Sequence, residues 1–307
     1  MAMGGIMGFF DDVQGTLDRG MTMARGAVST VAGEQLGFVR GFGRMCQDGW
    51  ALGYHERNGG NASYRLTASD IASVQSFFYD TPSSWVPLGV TVPEMAGEHL
   101  LVTGSGKFLR NVQSDPVTNA GIVEIGPQGD VWRIVWGLKD GGRPTSEIGA
   151  HVAAHGVRKG VTGGQARVLY HAHPNAVIAL TTLVPADART LTRLLWSTVT
   201  ESVIAFPGGV GALEWKVPGS ADLAQATARI MRDYEACVWQ LHGVFASGAD
   251  FDAAFGLVNA IDKAADVYVR ARAAQGGKEN LPYAISDADL RATALAYNLP
   301  INEGFLS

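Results

Sequence analysis

The chain has 307 residues, 47% hydrophobic and 17% charged, with a formal net charge of −5, which excludes a disordered polymer and suffices for one large core. That acidic balance lacks the basic face that nucleic-acid binding requires, so no nucleic-acid partner is expected; no stretch reaches the roughly 18 continuous apolar residues of a membrane helix, so no membrane partner is either. Two cysteines, Cys46 and Cys237, are too few for a disulfide framework or a four-thiolate zinc site and point to a reducing compartment.

Met1 to Phe10 is apolar but has no cationic start, and Asp11 and Asp12 interrupt it, unlike a secretory signal. The chain therefore reads as cytoplasmic. Gly4, Gly5, Gly8, Gly15, Gly20 and Gly26 weaken any helix in residues 1–30, which read as a loose extension ahead of a single domain over 31–307. From Val31 to Tyr54, Leu36, Phe38, Val39, Phe42, Met45, Trp50 and Leu52 follow helical spacing, and ERNGGN (56–61) ends the helix in a glycine turn. Strands are expected at 64–66, 100–103, 123–125 and 132–136, the last two joined through GPQGD. Pro144 then opens a helix to about Arg158, with Thr145 or Ser146 as its N-cap. A short strand at 167–170 runs into His171 and His173. Helices fit 174–183, 186–200, 220–236, 251–273 and 287–297, and a strand fits 237–242. Interleaved helices and strands imply an α/β fold, layers of helices around one mixed or antiparallel sheet.

Two histidines at i and i+2 in VLYHAHPN project to the same side of an extended chain and can share one ion. His242, in WQLHGVFASG, ends another apolar run. Three imidazoles with an open fourth position suit a catalytic zinc, although an HxH pair also occurs in unrelated metallohydrolases and as a plain polar pair. Glu147, His151 and His155 form a rival set at i, i+4, i+8 on one helix face; the HExxH glutamate is missing, so the two histidines read as packing groups beside the site. Asn58-Gly59-Gly60-Asn61, Thr103-Gly104-Ser105-Gly106-Lys107 and Thr145-Ser146 are loops whose backbone N–H groups can approach an anion. Taken singly, each is also an ordinary tight turn. GSGK is not a nucleotide loop, since the earlier glycine of that motif is absent and Phe108 stands where its hydroxyl belongs.

In this order, ERNGGN (56–61), VTGSGKFLRNV (102–112), PTSEIGAH (144–151), LYHAHPN (169–175) and WQLHGVFASG (239–248) resemble the class II aldolase/adducin family over about residues 31–275. The segment TESVIAFPGGVGALEWKVPGS (200–220) resembles one longer branch of it. The resemblance implies a lyase acting on a phosphorylated ketose and assembling as a homotetramer. It implies one Zn2+ per subunit on His171, His173 and His242, with Glu147 at the metal in the resting site and acting as catalytic base. It also implies substrate or phosphate contacts from Asn58, Gly60, Asn61, Ser105, Gly106, Thr145 and Ser146, and a second acidic group, Glu201, near the substrate. An epimerase of the same family and a metal-free scaffold are the competing expectations.

Overall fold

In the computed structural model the described residues are 36–139, 141–278 and 281–307; the extension expected over 1–30 lies outside them. Nine strands form one sheet: β1 (Asn61–Arg65), β2 (Val86–Pro87), β3 (His99–Thr103), β4 (Ala120–Ile125), β5 (Val131–Gly137), β6 (Val168–Ala172), β7 (Gly211–Leu213), β8 (Ala236–Trp239) and β9 (Gly243–Gly248). Their spatial order is β2-β5-β4-β3-β1-β6-β9-β8-β7. Every pairing is antiparallel except β7 with β8. The fold class is the expected α/β, with a mixed sheet between helices.

The central strands are covered on both faces, and their alternation sorts side chains between two cores. Ala62 and Tyr64 of β1, Tyr170 and Ala172 of β6, and Val244 and Ala246 of β9 join one core with Phe42, Leu195, Val258 and Ile261, from the helices Gly37–Ala51, Ala188–Thr198 and Phe251–Ala274. Leu169 and Phe245 point the other way, into a cluster with Ala154 and Leu223 of the helices Ile148–Val161 and Ala221–Ile230. Asn61, Ser63 and His171 share that second face. The polar side of β1 and β6 thus meets the helix that carries His151 and His155.

Cys46 and Cys237 are free and buried. Burial pushes both thiols up, so they behave as small core side chains. The helix Asp287–Tyr297 has a Ser286/Asp289 capping box and docks through buried Leu290 and Ala294.

Three local expectations change. The helix starts at Ile148 with Glu147 in the N-cap position, rather than Thr145 or Ser146. The chain is still extended at 144–145, where Gly104 bridges Pro144 and Thr145 N–H donates to the Thr103 carbonyl at 2.9 Å. The strand expected over 237–242 is instead β8 followed by a tight reversal into β9. Leu241 takes a left-handed φ of 58° there, and Trp239 pairs with Gly243. The helix expected over 220–236 stops at Ile230, and the chain turns before β8 begins at Ala236.

Candidate metal centre and substrate cavity

Antiparallel pairing of β1 with β6 sets Asn61 opposite His171, at the strand ends where the cavity opens. His173 follows β6, and the β8–β9 turn swings His242 across to them. The ring nitrogens of His171, His173 and His242 lie within 4.8 Å of one another; Nε2 of His171 is 3.0 Å from Nε2 of His173 and 3.3 Å from that of His242.

The outer ring nitrogens define what these imidazoles offer. His171 Nδ1–H donates to the Val244 carbonyl at 3.0 Å, and His173 Nδ1–H donates to a Glu56 carboxylate oxygen at 2.8 Å. A neutral imidazole protonated at Nδ1 presents a bare lone pair at Nε2. Burial, with His173 and His242 nearby, holds His171 well below its ordinary pKa. Burial and His173 push His242 down to about 4. Lone pairs facing each other at such distances repel unless a cation lies among them. This donor set therefore fits one divalent metal, with the outer hydrogen bonds orienting two of the three rings.

Glu147 lies outside that three-residue cluster, its Oε2 3.6 Å from His171 Nε2. It is 5% exposed, and Asn61 Nδ2 donates to the same oxygen at 2.8 Å. Burial raises its pKa, and the Asn61 donor works against that rise. A cavity of about 290 Å³ is lined by Glu147 and the three histidines together with Asn58, Gly59, Gly60, Asn61, Gly104, Ser105, Gly106, Thr145, Ser146 and Pro218. All three glycine or hydroxyl loops meet there. Gly60 has φ 72°, and a Cβ at that position would sit 2.3 Å from His55 Nδ1, so both conformation and space demand glycine.

Glu201 stands apart. It is exposed at the start of its short helix and does not line the cavity. Sequence reading overlooked Glu56 as the partner of His173, and Pro218. Glu56 lies inside ERNGGN, yet nothing local pairs it with a histidine 117 positions away. His55 is buried, with its Nε2 2.7 Å from the Tyr170 hydroxyl, and does not line the cavity.

Burial pushes His55 and His151 down from 6.5 to about 3. The unfolded chain binds protons at these rings near 6.5 and the folded chain does not, so their contribution is complete above 6.5 and is lost as pH falls toward 3. Glu147 acts in the opposite sense: its raised carboxyl contributes stability at low pH that is lost as pH rises through the raised value. His155, His171 and His242 are depressed in the same sense, so the histidines together outweigh Glu147, and the Tm of the metal-free protein should drop by roughly 5 °C or more between about pH 7.5 and 5.5. A flat calorimetric Tm over that window would mean that these rings accept protons within the fold.

The family described as Class II Aldolase and Adducin N-terminal domain matches residues 42–269. The chain is similar to the rhamnulose-1-phosphate aldolase of Pectobacterium atrosepticum, at 41% identity over 244 residues covering 80% of this chain and 89% of that protein. It is similarly close to the rhamnulose-1-phosphate aldolase of Escherichia coli (strain K12 / DH10B), at 42% identity over the same coverage. Among solved structures it resembles a sugar-phosphate aldolase from Thermotoga maritima, with TM-score 0.64 and 25% identity over 79% of this chain and 97% of the other. The L-fuculose-1-phosphate aldolase of Thermus thermophilus, at TM-score 0.52 and 20% identity over 78% of this chain and 97% of that one, shares the fold.

Proposed function

The chain belongs to the class II aldolase and adducin family, and from that membership we propose that it cleaves L-rhamnulose 1-phosphate reversibly to dihydroxyacetone phosphate and L-lactaldehyde, using Zn2+. It is a lyase. The observation that carries the reading is the meeting of three imidazole side chains with a buried carboxylate, in a cavity walled by three loops suited to an anion. The 41–42% identity to rhamnulose-1-phosphate aldolases supports this choice of sugar. The second reading, an aldolase or epimerase for fuculose or pentulose phosphate, shares the site chemistry and differs in the sugar recognised.

His171, His173 and His242 would hold the zinc, which supplies Lewis-acid stabilisation of the negative charge left when C3–C4 breaks and electrons move into the C2 carbonyl, an effect of several kcal/mol. Backbone N–H groups and side chains of Asn58, Gly60, Asn61, Ser105, Gly106, Thr145 and Ser146 bind the phosphate and the ketose oxygens. That binding energy fixes the reacting carbons. Glu147 carries the proton: in the condensation direction it takes one from the hydroxymethyl carbon of the ketone, and in cleavage it returns it. Its raised pKa makes it a stronger base than an exposed carboxylate.

The enzyme works in the cytoplasm as a homotetramer on a small phosphorylated sugar. Among the described residues no helix is long and apolar enough to cross a membrane. Trp215 at 56% exposure, Val217 at 58% and Leu241 at 50% flank the cavity residues Pro218 and His242, and apolar exposure at a site mouth is what a subunit contact covers. In that assembly Glu201, outside its own cavity, serves proton transfer at the aldehyde oxygen in a neighbouring copy. The deciding experiment supplies rhamnulose 1-phosphate, fuculose 1-phosphate and ribulose 5-phosphate to the zinc-loaded protein. Lactaldehyde should form fastest from the first; epimerised pentulose without an aldehyde product would favour the second reading.

A further inference from the structure

Behind Glu147 the polar face of β1 holds a hydrogen-bonded chain whose inner members, Ser63, His151 and His155, no step above uses. Asn61 Nδ2 donates to Glu147 Oε2 at 2.8 Å, so Asn61 Oδ1 points away from the carboxylate, toward His151 Nε2. An amide oxygen only accepts, so His151 must carry its proton on Nε2 and leave Nδ1 as an acceptor. Ser63 Oγ lies 2.6 Å from that Nδ1 and therefore donates to it. The same Oγ, 2.8 Å from His155 Nε2, then accepts from His155. Every donor in the sequence His155, Ser63, His151, Asn61 points toward Glu147. Ser63 and His151 are fully buried, His155 is 1% exposed and Asn61 is 7% exposed. Burial keeps both imidazoles uncharged, and a neutral ring has the one-donor, one-acceptor pattern that such a chain needs.

We propose that His151, oriented by Ser63 and His155, is a positioning residue: it locks the Asn61 side-chain amide with its NH2 group toward Glu147 and so holds the catalytic carboxylate in its working orientation. Without the His151 donor, Asn61 is free to turn its oxygen toward Glu147. Two acceptors would then face each other in a buried space and the carboxylate would move off. Sequence spacing alone makes His151 and His155 a packing pair on one helix face; their orientation toward Ser63 gives them this second role. The inference rests on Glu147 being the base.

The test pairs a disrupting with a conservative substitution. H151L removes the donor, whereas H151Q keeps an N–H near the Nε2 position and an acceptor near Nδ1. H151L should lower kcat about 10²-fold, the scale of a small misplacement of a catalytic group, with KM within about 2-fold; H151Q should recover kcat to within about 5-fold of wild type, the scale of one imperfect hydrogen bond. S63A tests the next link and should lower kcat about 5-fold, one neutral hydrogen bond's worth. A readout without turnover is the thermal midpoint of the metal-free protein: the loss caused by H151L should be at least about 2 °C smaller in an E147A background, because residues of one network do not add. Equal losses in both backgrounds, or an H151Q enzyme as slow as H151L, would overturn the proposal. Should the wild type fail to cleave rhamnulose 1-phosphate, the function proposed above falls, and the midpoint comparison still decides the role of His151.

Discussion

Replacing Glu147 with alanine is expected to leave a folded protein that still takes up metal and to reduce turnover by roughly 10²–10⁴-fold. A carboxylate at a helix start has an ordinary alternative role, satisfying the first turn for about 0.3–1 kcal/mol. The structure argues against that role, since Glu147 occupies the N-cap position without any side-chain capping bond. Its carboxylate turns inward instead, to Asn61 and His171. A largely buried carboxylate with few partners costs stability, so E147A should keep or raise the Tm of the metal-free protein while kcat collapses. Stability retained with activity lost is the mark of a group held in place for chemistry. Wild-type turnover in E147A, measured by lactaldehyde release at saturating substrate, would remove Glu147 from the reaction.

Removing one of the three imidazoles proposed to hold zinc should have an effect at least as large. His171 is the central ring of the three, its Nε2 close to both others, and β6 holds it rigidly between β1 and β9. H171A is expected to lose stoichiometric zinc, and with it activity by about 10³-fold or more, since the Lewis-acid contribution is several kcal/mol. Chelated wild-type protein should regain activity when zinc is returned, and H171A should not. Glu56 supplies an internal control of smaller size: E56Q keeps all three imidazoles but weakens the partner of His173 Nδ1, and should weaken zinc binding roughly 10–100-fold. Zinc affinity is read by titration of the metal-free protein. Unchanged affinity in H171A would place the metal elsewhere.

The parts of this molecule that were legible early are those whose pattern repeats or whose chemistry is local. The helix Phe251–Ala274 announced itself through Val258, Ile261 and Ala265, because a helix buries side chains every three to four residues whatever it packs on. The terminal helix Asp287–Tyr297 was legible through the same periodicity. The three clustered histidines and the glycine and hydroxyl loops that line one cavity were legible from residue type, since an imidazole or a glycine restricts its chemistry before the chain folds. The β8–β9 reversal was not: Gln240-Leu241-His242 carries none of the usual turn residues, and Leu241 adopts φ 58° only because paired strands on either side hold it there. The start at Ile148 was hidden for a similar reason, as a bridge from Gly104 keeps Pro144 extended.

Residue chemistry and period, carried by short stretches of chain, were enough to specify an α/β fold and a supply of imidazole, carboxylate and anion-binding groups. Folding alone decided which of them meet: that Glu56 orients His173 across 117 positions, that Ser63 joins His151 to His155, and that Glu201 lies outside the cavity of its own chain. The physical reason is that strand register and helix docking set distances between residues remote in sequence, and hydrogen bonds and metal sites depend on those distances to within a few tenths of an ångström.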